Sequence, residues 1–268
     1  MPPVPLESAP VWRNWTRDLE HLPAQDGKPY YFSPTTREEL REVVLRATSE
    51  GVVIRVSGQR HSQPPLVADD NRDAPAETAQ LWLVDLSCYC DLGDDGDEQI
   101  VLDEDAMRVT VNAGVREDYL DAWLTERSLM LKTVTAGGFF SIGGMTAVDV
   151  NGASTDAPIF AETATAFTMM GADGNVRTVE RGVEELEGWD AIQFVRVSLG
   201  ALGILTAVAL EVVPRPYATT IETGRLSFRL DSEAAFVSRF QDLLARYDRL
   251  ESFYDPYKND FLVLWWKV

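Results

Sequence analysis

The sequence predicts an α+β fold, and two local patterns support this prediction. A strand-helix-strand unit is indicated at residues 30–56, because Tyr30-Tyr31-Phe32 is followed by a helical period and then by the β-branched run of residues 52–56. That run has the composition of a buried strand. An antiparallel hairpin is indicated at residues 163–179, where two apolar runs flank the turn residues Gly171-Ala172-Asp173-Gly174-Asn175.

The other elements are each indicated by a pattern of their own. Ser33-Pro34-Thr35-Thr36 supplies start signals for a helix that ends near Gly51. Residues 116–127 have the apolar spacing of a second helix. The remaining elements are expected as strands at residues 81–86, 107–111, 204–213, 219–230, around 252–254 and at 261–266, and as a helix at residues 232–247.

A domain boundary is expected at Pro214-Arg215-Pro216, because prolines end the long apolar strand that precedes them. We therefore expect an N-terminal arm at residues 1–27, rich in proline and tryptophan, and a main domain at residues 28–214. Residues 215–268 are expected to be the beginning of a second domain.

Composition narrows the classes of partner and compartment. The 268 residues carry a net charge of −19 at pH 7, so nucleic acid and acidic membranes are not expected partners. The acidic runs lack the spacing of a calcium-binding loop. The two cysteines, Cys88 and Cys90, provide no disulfide framework. The chain shows neither a signal-peptide pattern nor an apolar stretch that could span a bilayer, so we expect a cytoplasmic protein.

Two loops rich in small residues indicate a site for a phosphorylated cofactor. The first is Arg55-Val56-Ser57-Gly58-Gln59-Arg60-His61-Ser62, which directly follows a strand, and the second is Gly137-Gly138-Phe139-Phe140-Ser141-Ile142-Gly143-Gly144-Met145-Thr146-Ala147. Glycine and serine are the expected residues where the backbone must come close to a pyrophosphate and donate N–H groups to it. Two such loops suggest that both approach one ligand.

Three further motifs occur along the chain, and their order and spacing relative to the two loops are more specific than any one of them. They are Leu83-Val84-Asp85-Leu86-Ser87, Val111-Asn112-Ala113-Gly114 and Ser198-Leu199-Gly200-Ala201-Leu202-Gly203. With the two loops, they make the chain resemble the FAD-linked oxidoreductases of the vanillyl-alcohol oxidase family. The resemblance implies a two-subdomain, PCMH-type FAD-binding fold over most of residues 28–214. It also implies the start of an α+β substrate domain after it.

The resemblance assigns roles to particular residues. The first loop would wrap the pyrophosphate, and His61 would be bonded to the flavin's 8α carbon, the alternative being a polar loop histidine without such a bond. Asn151 stands where many relatives have histidine, and a plain turn residue is the alternative for it. The expected cofactor-binding residues are Ser57, Gly58, Gln59, Arg60, His61, Ser62, Gly138, Ser141, Ile142, Gly143, Gly144, Asn151, Gly152, Ser198, Gly200, Gly203 and Ile204.

The second loop and the late segment Glu251-Ser252-Phe253-Tyr254 look most like the subgroup of flavin-histidyl cholesterol oxidases. In that subgroup a strand of this kind lies at the floor of the substrate cavity. The resemblance therefore implies that Glu251 or Tyr254 faces the substrate as a catalytic residue, the alternative being that a glutamate on a half-exposed strand is merely solvated.

The function implied is an FAD-dependent oxidoreductase that passes a hydride from an alcohol to flavin N5, with a sterol or another hydrophobic secondary alcohol as donor. Relatives have a complete substrate domain, so we expect this chain to be a fragment or to be completed by a second chain or a second copy. One alternative is a flavin-binding subunit that needs a partner. Another is an NADPH-linked reductase, which His61-Ser62 argues against, because those relatives hold FAD without a covalent bond.

Overall fold

The computed structural model describes residues 10–64, 66–135, 137–148, 150–154, 156–216, 221–229 and 231–267. The strands are β1 (Trp12–Arg13), β2 (Glu20–His21), β3 (Tyr31–Phe32), β4 (Val53–Val56), β5 (Leu81–Val84), β6 (Ile100–Asp103), β7 (Arg108–Asn112), β8 (Leu129–Leu131), β9 (Ala164–Met170), β10 (Val176–Glu180), β11 (Glu185–Leu186), β12 (Trp189–Asp190), β13 (Ile204–Pro214), β14 (Glu222–Arg229), β15 (Arg249–Asp255) and β16 (Asp260–Lys267). The helices are α1 (Arg37–Glu50), α2 (Glu117–Thr125), α3 (Ile142–Ala147), α4 (Ile192–Val195) and α5 (Glu233–Leu244), with a 3-10 turn at Phe160–Thr163.

The first sheet is small and parallel, in the order β3-β5-β4, and α1 connects two of its strands. Helix α1 begins at Thr36, whose side chain accepts a hydrogen bond from the Glu39 N–H, and ends at Gly51 in the left-handed conformation. The predicted strand-helix-strand unit is therefore confirmed. The prediction that β4 is buried is wrong, because β4 is an edge strand and Val53 is 53% exposed.

The second sheet is larger and antiparallel, in the order β10-β9-β13-β7-β6, and β8 pairs with the far end of β13. Strand β13 contacts three other strands, and its side chains Val208 and Leu210 are fully buried. The predicted hairpin is present as β9 and β10, whose register pairs Met170 with Val176. Because helices occur together with one parallel sheet and several antiparallel sheets, the predicted α+β class is confirmed.

The two sheets meet where the backbone segments are unusually close. A Cβ added at Gly114 would lie 1.8 Å from the carbonyl oxygen of Leu86, so no other residue fits there. Near this point Asn112 is fully buried and donates to Asp91 at 2.7 Å. Asp91 also binds the guanidinium of Arg37 in α1, at 3.1 Å. These polar contacts link the helix of the first sheet to the second sheet.

The third sheet, β14-β16-β15, is antiparallel and is covered on one face by α5. Phe236 of α5 packs on Phe261, with ring centroids 4.7 Å apart, and Phe228 stacks on the same ring from β14. The sheet touches the preceding part of the chain through a hydrogen bond from the Leu250 N–H to the Ala153 carbonyl, at 3.1 Å.

Both cysteines are free thiols in the segment that follows β5. No group of histidine, cysteine and carboxylate side chains suited to a metal ion occurs among the described residues. Within that same part of the chain, no helix combines the length and the hydropathy needed to cross a membrane.

We predict that Gly114→Ala lowers the free energy of unfolding by about 3 kcal/mol or more, because its Cβ would collide with backbone rather than with a flexible side chain. Urea-induced unfolding measures the change. Gly96→Asn is the matched control: it changes a turn glycine with φ of 69° and open space around it, and should cost about 0.5 kcal/mol or less. Equal effects of the two variants would contradict this account of the junction.

Candidate active site

A cavity of about 700 Å³ lies between the first and second sheets. Its volume falls within the range of cofactor pockets. Twelve of the expected cofactor-binding residues line it, namely Ser57, Gly58, Gln59, Arg60, His61, Ser62, Ser141, Gly143, Gly144, Gly200, Gly203 and Ile204. The expected residues outside its described wall are Gly138, Ile142, Asn151, Gly152 and Ser198.

The first loop is held by the strands that precede and flank it. The Ser57 N–H donates to the Val84 carbonyl at 2.8 Å, which continues the pairing of β4 with β5 past the end of the strand. Gly58 faces the second loop, since a Cβ there would lie 2.6 Å from Ser141 Oγ. The two loops predicted to share a ligand are therefore in direct contact.

His61 lies in a cluster of aromatic rings. Its imidazole stacks on Trp15 at 4.5 Å between ring centroids and on Phe139 at 5.1 Å, and it meets the edge of Phe140 at 4.8 Å. Nε2 is buried and has no hydrogen-bond partner among the described residues. Burial lowers the pKa of His61, so the neutral imidazole is favoured near neutral pH.

Gly143 in the second loop and Gly152 beyond it provide space for close contacts. The Gly143 N–H donates to the Ala113 carbonyl at 2.8 Å, and a Cβ at Gly143 would lie 2.7 Å from the Ala113 methyl group. A Cβ at Gly152 would likewise collide with the Val134 carbonyl oxygen. Ile142 is fully buried and belongs to the core. At Gly143 the contacts therefore favour close approach over donation to a ligand, and at Gly152 they show close approach to neighbouring backbone.

The segment before β13 is also shaped by glycine. Gly203 has φ of 139°, and a Cβ there would lie 2.7 Å from the Met170 carbonyl oxygen. The N–H groups of Val197 and Leu199 donate to carbonyls at the end of α3. Ser198 therefore lies in a stretch fixed by backbone contacts, and Gly200, Gly203 and Ile204 form the cavity wall beyond it.

Arg60 belongs to a series of hydrogen-bonded side chains that was not predicted from the sequence. Its guanidinium donates to Tyr31 Oη at 3.2 Å, and Tyr31 donates to Asp85 Oδ2 at 3.0 Å. Arg55, Arg60 and Asp85 are the side chains with a formal charge among the described lining residues. The described wall thus carries one net positive charge, although the whole chain carries −19. The signal in the sequence that could have revealed these hydrogen bonds was the position of Asp85 in the motif Leu83-Val84-Asp85-Leu86-Ser87.

Glu117 is a second site residue that sequence reasoning missed. It is 2% exposed, and its carboxylate accepts from the Thr135 N–H at 2.6 Å and from the Thr135 hydroxyl. Its own N–H donates to the Phe140 carbonyl at 2.9 Å. Glu117 therefore anchors both ends of the loop that brings Phe139 and Phe140 to His61. Burial raises the pKa of this carboxyl group.

Glu251 and Tyr254 cannot both face one substrate cavity. They are three residues apart on β15, so their side chains leave opposite faces of the sheet. Tyr254 stacks on Phe261 at 4.7 Å, on the face that α5 covers, and donates to Asn259 Oδ1 at 2.8 Å. Glu251 pairs with Leu264 on the opposite, open face, and Arg225 pairs with Leu264 from the other side. Each face of the sheet therefore carries one of the two residues, and the expectation that one of them faces the substrate stays a prediction.

We predict that Glu117→Gln changes the pH dependence of stability. A raised pKa in the folded state means that the contribution of Glu117 is fully present below its ordinary pKa of 4.5 and is lost as the pH rises through the folded value. The wild type should therefore lose stability relative to the variant as the pH rises from about 4 to about 8. Urea unfolding across this range measures it, and a difference that is constant with pH would contradict it.

Comparison with known proteins places these observations in a family. The family model of an FAD binding domain matches residues 29–180. L-gulonolactone oxidase of Mus musculus is 25% identical over 204 residues, which cover 76% of this chain and 40% of that protein. L-gulono-1,4-lactone dehydrogenase of Mycobacterium tuberculosis is 25% identical over 256 residues, covering 95% of this chain and 51% of that protein. The chain thus spans about half the length of these relatives, or less.

Solved structures show the same fold. Cholesterol oxidase from Brevibacterium sterolicum superposes with a TM-score of 0.71 at 19% identity, over 96% of this chain and 47% of that one. An alkyldihydroxyacetonephosphate synthase gives a TM-score of 0.65 at 16% identity, over 88% and 47%. The family model covers more than half of the chain and the fold agrees with it. The chain therefore belongs to the FAD-binding domain family, with the PCMH-type fold that its motifs predicted, and its cofactor is FAD.

Proposed function

We propose that this chain is the flavin-binding part of an FAD-dependent oxidoreductase that acts on CH–OH donors. The observation that carries the proposal is the cavity itself, where two glycine-containing loops in contact with each other enclose about 700 Å³. Beside it lies His61, whose buried Nε2 has no hydrogen-bond partner among the described residues. The relatives at 25% identity are named as an oxidase and a dehydrogenase of lactones, which supports the same class of reaction.

The residues of the cavity suit FAD in three ways. The loop at residues 57–62 and the glycines at 143 and 144 leave room for a pyrophosphate near Arg55 and Arg60. These two arginines supply positive charge in a chain that is otherwise strongly acidic. The wall formed by Gly200, Gly203 and Ile204 is proposed for the adenine and ribose side. Gly138, Ile142, Asn151, Gly152 and Ser198 are proposed to support this wall from behind rather than to touch the cofactor.

We further propose that a ring nitrogen of His61 is bonded to the flavin. A buried imidazole nitrogen without a hydrogen-bond partner is costly, so its place beside the cavity needs an explanation. Burial in the aromatic cluster also keeps the imidazole neutral, and the neutral form is the one that has a lone pair to offer. A covalent bond to the flavin would use this lone pair, whereas a loop histidine that forms no bond would not require a neutral imidazole.

The flavin, when bound, supplies the acceptor for a hydride from the substrate carbon. The protein must then receive the proton of the substrate hydroxyl, and we propose Glu251 for that role because it lies on the open face of the third sheet. Arg225 lies across Leu264 from it and would orient an oxygen of the substrate. The names of the relatives favour a hydroxylated sugar lactone as substrate.

A hydrophobic secondary alcohol such as a sterol is the second candidate substrate. The observation that favours it is the apolar character of the same open face, where Phe253 is 51% exposed and Leu262 is 37% exposed. Polar and apolar side chains are interleaved there, so the two classes of substrate are best separated by measurement.

We predict that His61→Ala abolishes covalent flavin while leaving FAD binding measurable. The protein is loaded with FAD in air and precipitated with acid, and the flavin that stays with the protein is measured and mapped by peptide mass. The chain has only two histidines, so His21→Ala is the matched control and should retain flavin like the wild type. Wild-type flavin released entirely into the supernatant would contradict the covalent bond while leaving FAD as the cofactor.

We predict that Glu251→Gln slows flavin reduction by the true substrate by about 100-fold, because no carboxylate receives the hydroxyl proton. Anaerobic bleaching of the flavin absorbance is followed with L-gulono-1,4-lactone and, separately, with cholesterol. Tyr254→Phe is the matched control and should change the rate less than about threefold, because Tyr254 lies on the face covered by α5. Equal effects of the two variants would contradict the role of Glu251, and reduction by neither compound would contradict both substrate classes.

A further inference from the structure

The N-terminal arm is attached to the loop that carries His61. Trp12 is 1% exposed, and its Nε1–H donates to Ser57 Oγ at 2.9 Å. The Trp15 N–H donates to the Arg60 carbonyl at 2.9 Å. The arm therefore holds the loop at its beginning and again just before the histidine, although the family model begins only at residue 29.

The backbone of the arm is fixed by a polar turn. Asn14 is 3% exposed, its side-chain oxygen accepts from the Leu19 N–H at 3.1 Å, and its amide donates to Asp18 at 2.6 Å. Arg17 adopts the left-handed conformation within this turn, with φ of 60°. A buried asparagine that serves both as donor and as acceptor gives the turn one conformation, and Trp15 occupies a defined place in it.

The indole of Trp15 covers the imidazole of His61. The two rings are 4.5 Å apart with an angle of 26° between their planes, and the indole is nearly parallel to Phe139, at 5.1 Å and 6°. Trp15 is nevertheless 57% exposed, so one side of it meets water. It contributes little to the core, and its ring contacts are concentrated on the histidine cluster.

We propose that Trp15 is a positioning residue that holds the imidazole of His61 against Phe139 in the orientation required for its bond to the flavin. This inference rests on the covalent bond proposed above. The bond joins a ring nitrogen to the 8α carbon and breaks the imidazole N–H bond and one C–H bond at that carbon. The two protons and two electrons released pass to dioxygen, which is reduced to hydrogen peroxide.

The surroundings of the imidazole agree with this role. The side chains packed on it are Trp15, Phe139 and Phe140, all uncharged. Arg60, which directly precedes His61, directs its guanidinium to Tyr31. Burial is the cause of the lowered pKa of His61, with no contribution from a charged group among the described residues. Removing the indole would admit water to the ring and free it to rotate.

The test compares Trp15→Ala, Trp15→Phe and Trp189→Ala with the wild type. Trp189 is the matched control because it is 62% exposed and outside the described cavity wall. The rate at which flavin becomes resistant to acid extraction is measured after FAD is added in air. FAD affinity is measured in the His61→Ala background, with and without Trp15→Ala, so that binding is separated from bond formation. Circular dichroism verifies that each variant is folded.

We expect attachment to slow about tenfold in Trp15→Ala, with smaller effects in Trp15→Phe and Trp189→Ala, while FAD affinity changes less than about threefold. Attachment at the wild-type rate in Trp15→Ala, or slowing that only matches weaker FAD binding, would overturn the proposal.

A second measurement separates this proposal from the covalent bond itself. The pKa of His61 is followed by NMR in flavin-free protein, where His21→Ala resolves the two histidines. If the wild type attaches no flavin, the covalent bond proposed above fails. The packing role of Trp15 is then judged by this titration alone, in which a rise of the His61 pKa in Trp15→Ala supports it and an unchanged pKa overturns it.

Discussion

The structure depends on a junction at which glycines allow segments of the two sheets and their loops to approach closely. Gly114 lies against the Leu86 carbonyl, Gly58 against the Ser141 hydroxyl, and Gly143 against the Ala113 methyl group. Each of these contacts is too short to admit a Cβ at the glycine without movement of its neighbour. The parallel sheet and the antiparallel sheet are thereby brought close enough for one cavity to be enclosed by loops from both.

The aromatic cluster around His61 combines parts of the chain that are far apart in sequence. Trp15 comes from the arm, Phe139 and Phe140 come from the second loop, and Glu117 anchors that loop through a buried carboxylate. A buried carboxylate is tolerated because it accepts two hydrogen bonds. The position of the histidine and the burial of its Nε2 are therefore properties of the whole domain rather than of the motif in which it occurs.

Most helices and strands were predictable because their signals are local. The Thr36 cap and the terminal Gly51 define α1, and the turn at residues 171–175 defines the β9-β10 hairpin. Twelve of the expected cofactor-binding residues line the cavity. Their motifs could be recognised in the sequence because close approach of the backbone requires small residues, above all glycine and serine, in these loops.

What the sequence could not reveal depends on contacts between distant residues. Burial of β4 was predicted wrongly because composition does not distinguish a central strand from an edge strand next to a cavity. The assignment of Glu251 and Tyr254 to opposite faces of the sheet required the register of β15. The hydrogen bond between Trp15 and Arg60 joins residues that are 45 positions apart in the sequence. Glu117 resembled an ordinary acidic residue in the first turn of a helix until its burial was known.

If both loops form a single FAD site, hydrogen–deuterium exchange with and without FAD should detect it. Peptides covering residues 57–62 and 137–145 should be protected together and over the same range of FAD concentration. The peptide covering β11 and β12 should be unchanged, since neither strand lines the described cavity wall. Protection of only one loop, or of neither, would contradict a single FAD site formed by both loops.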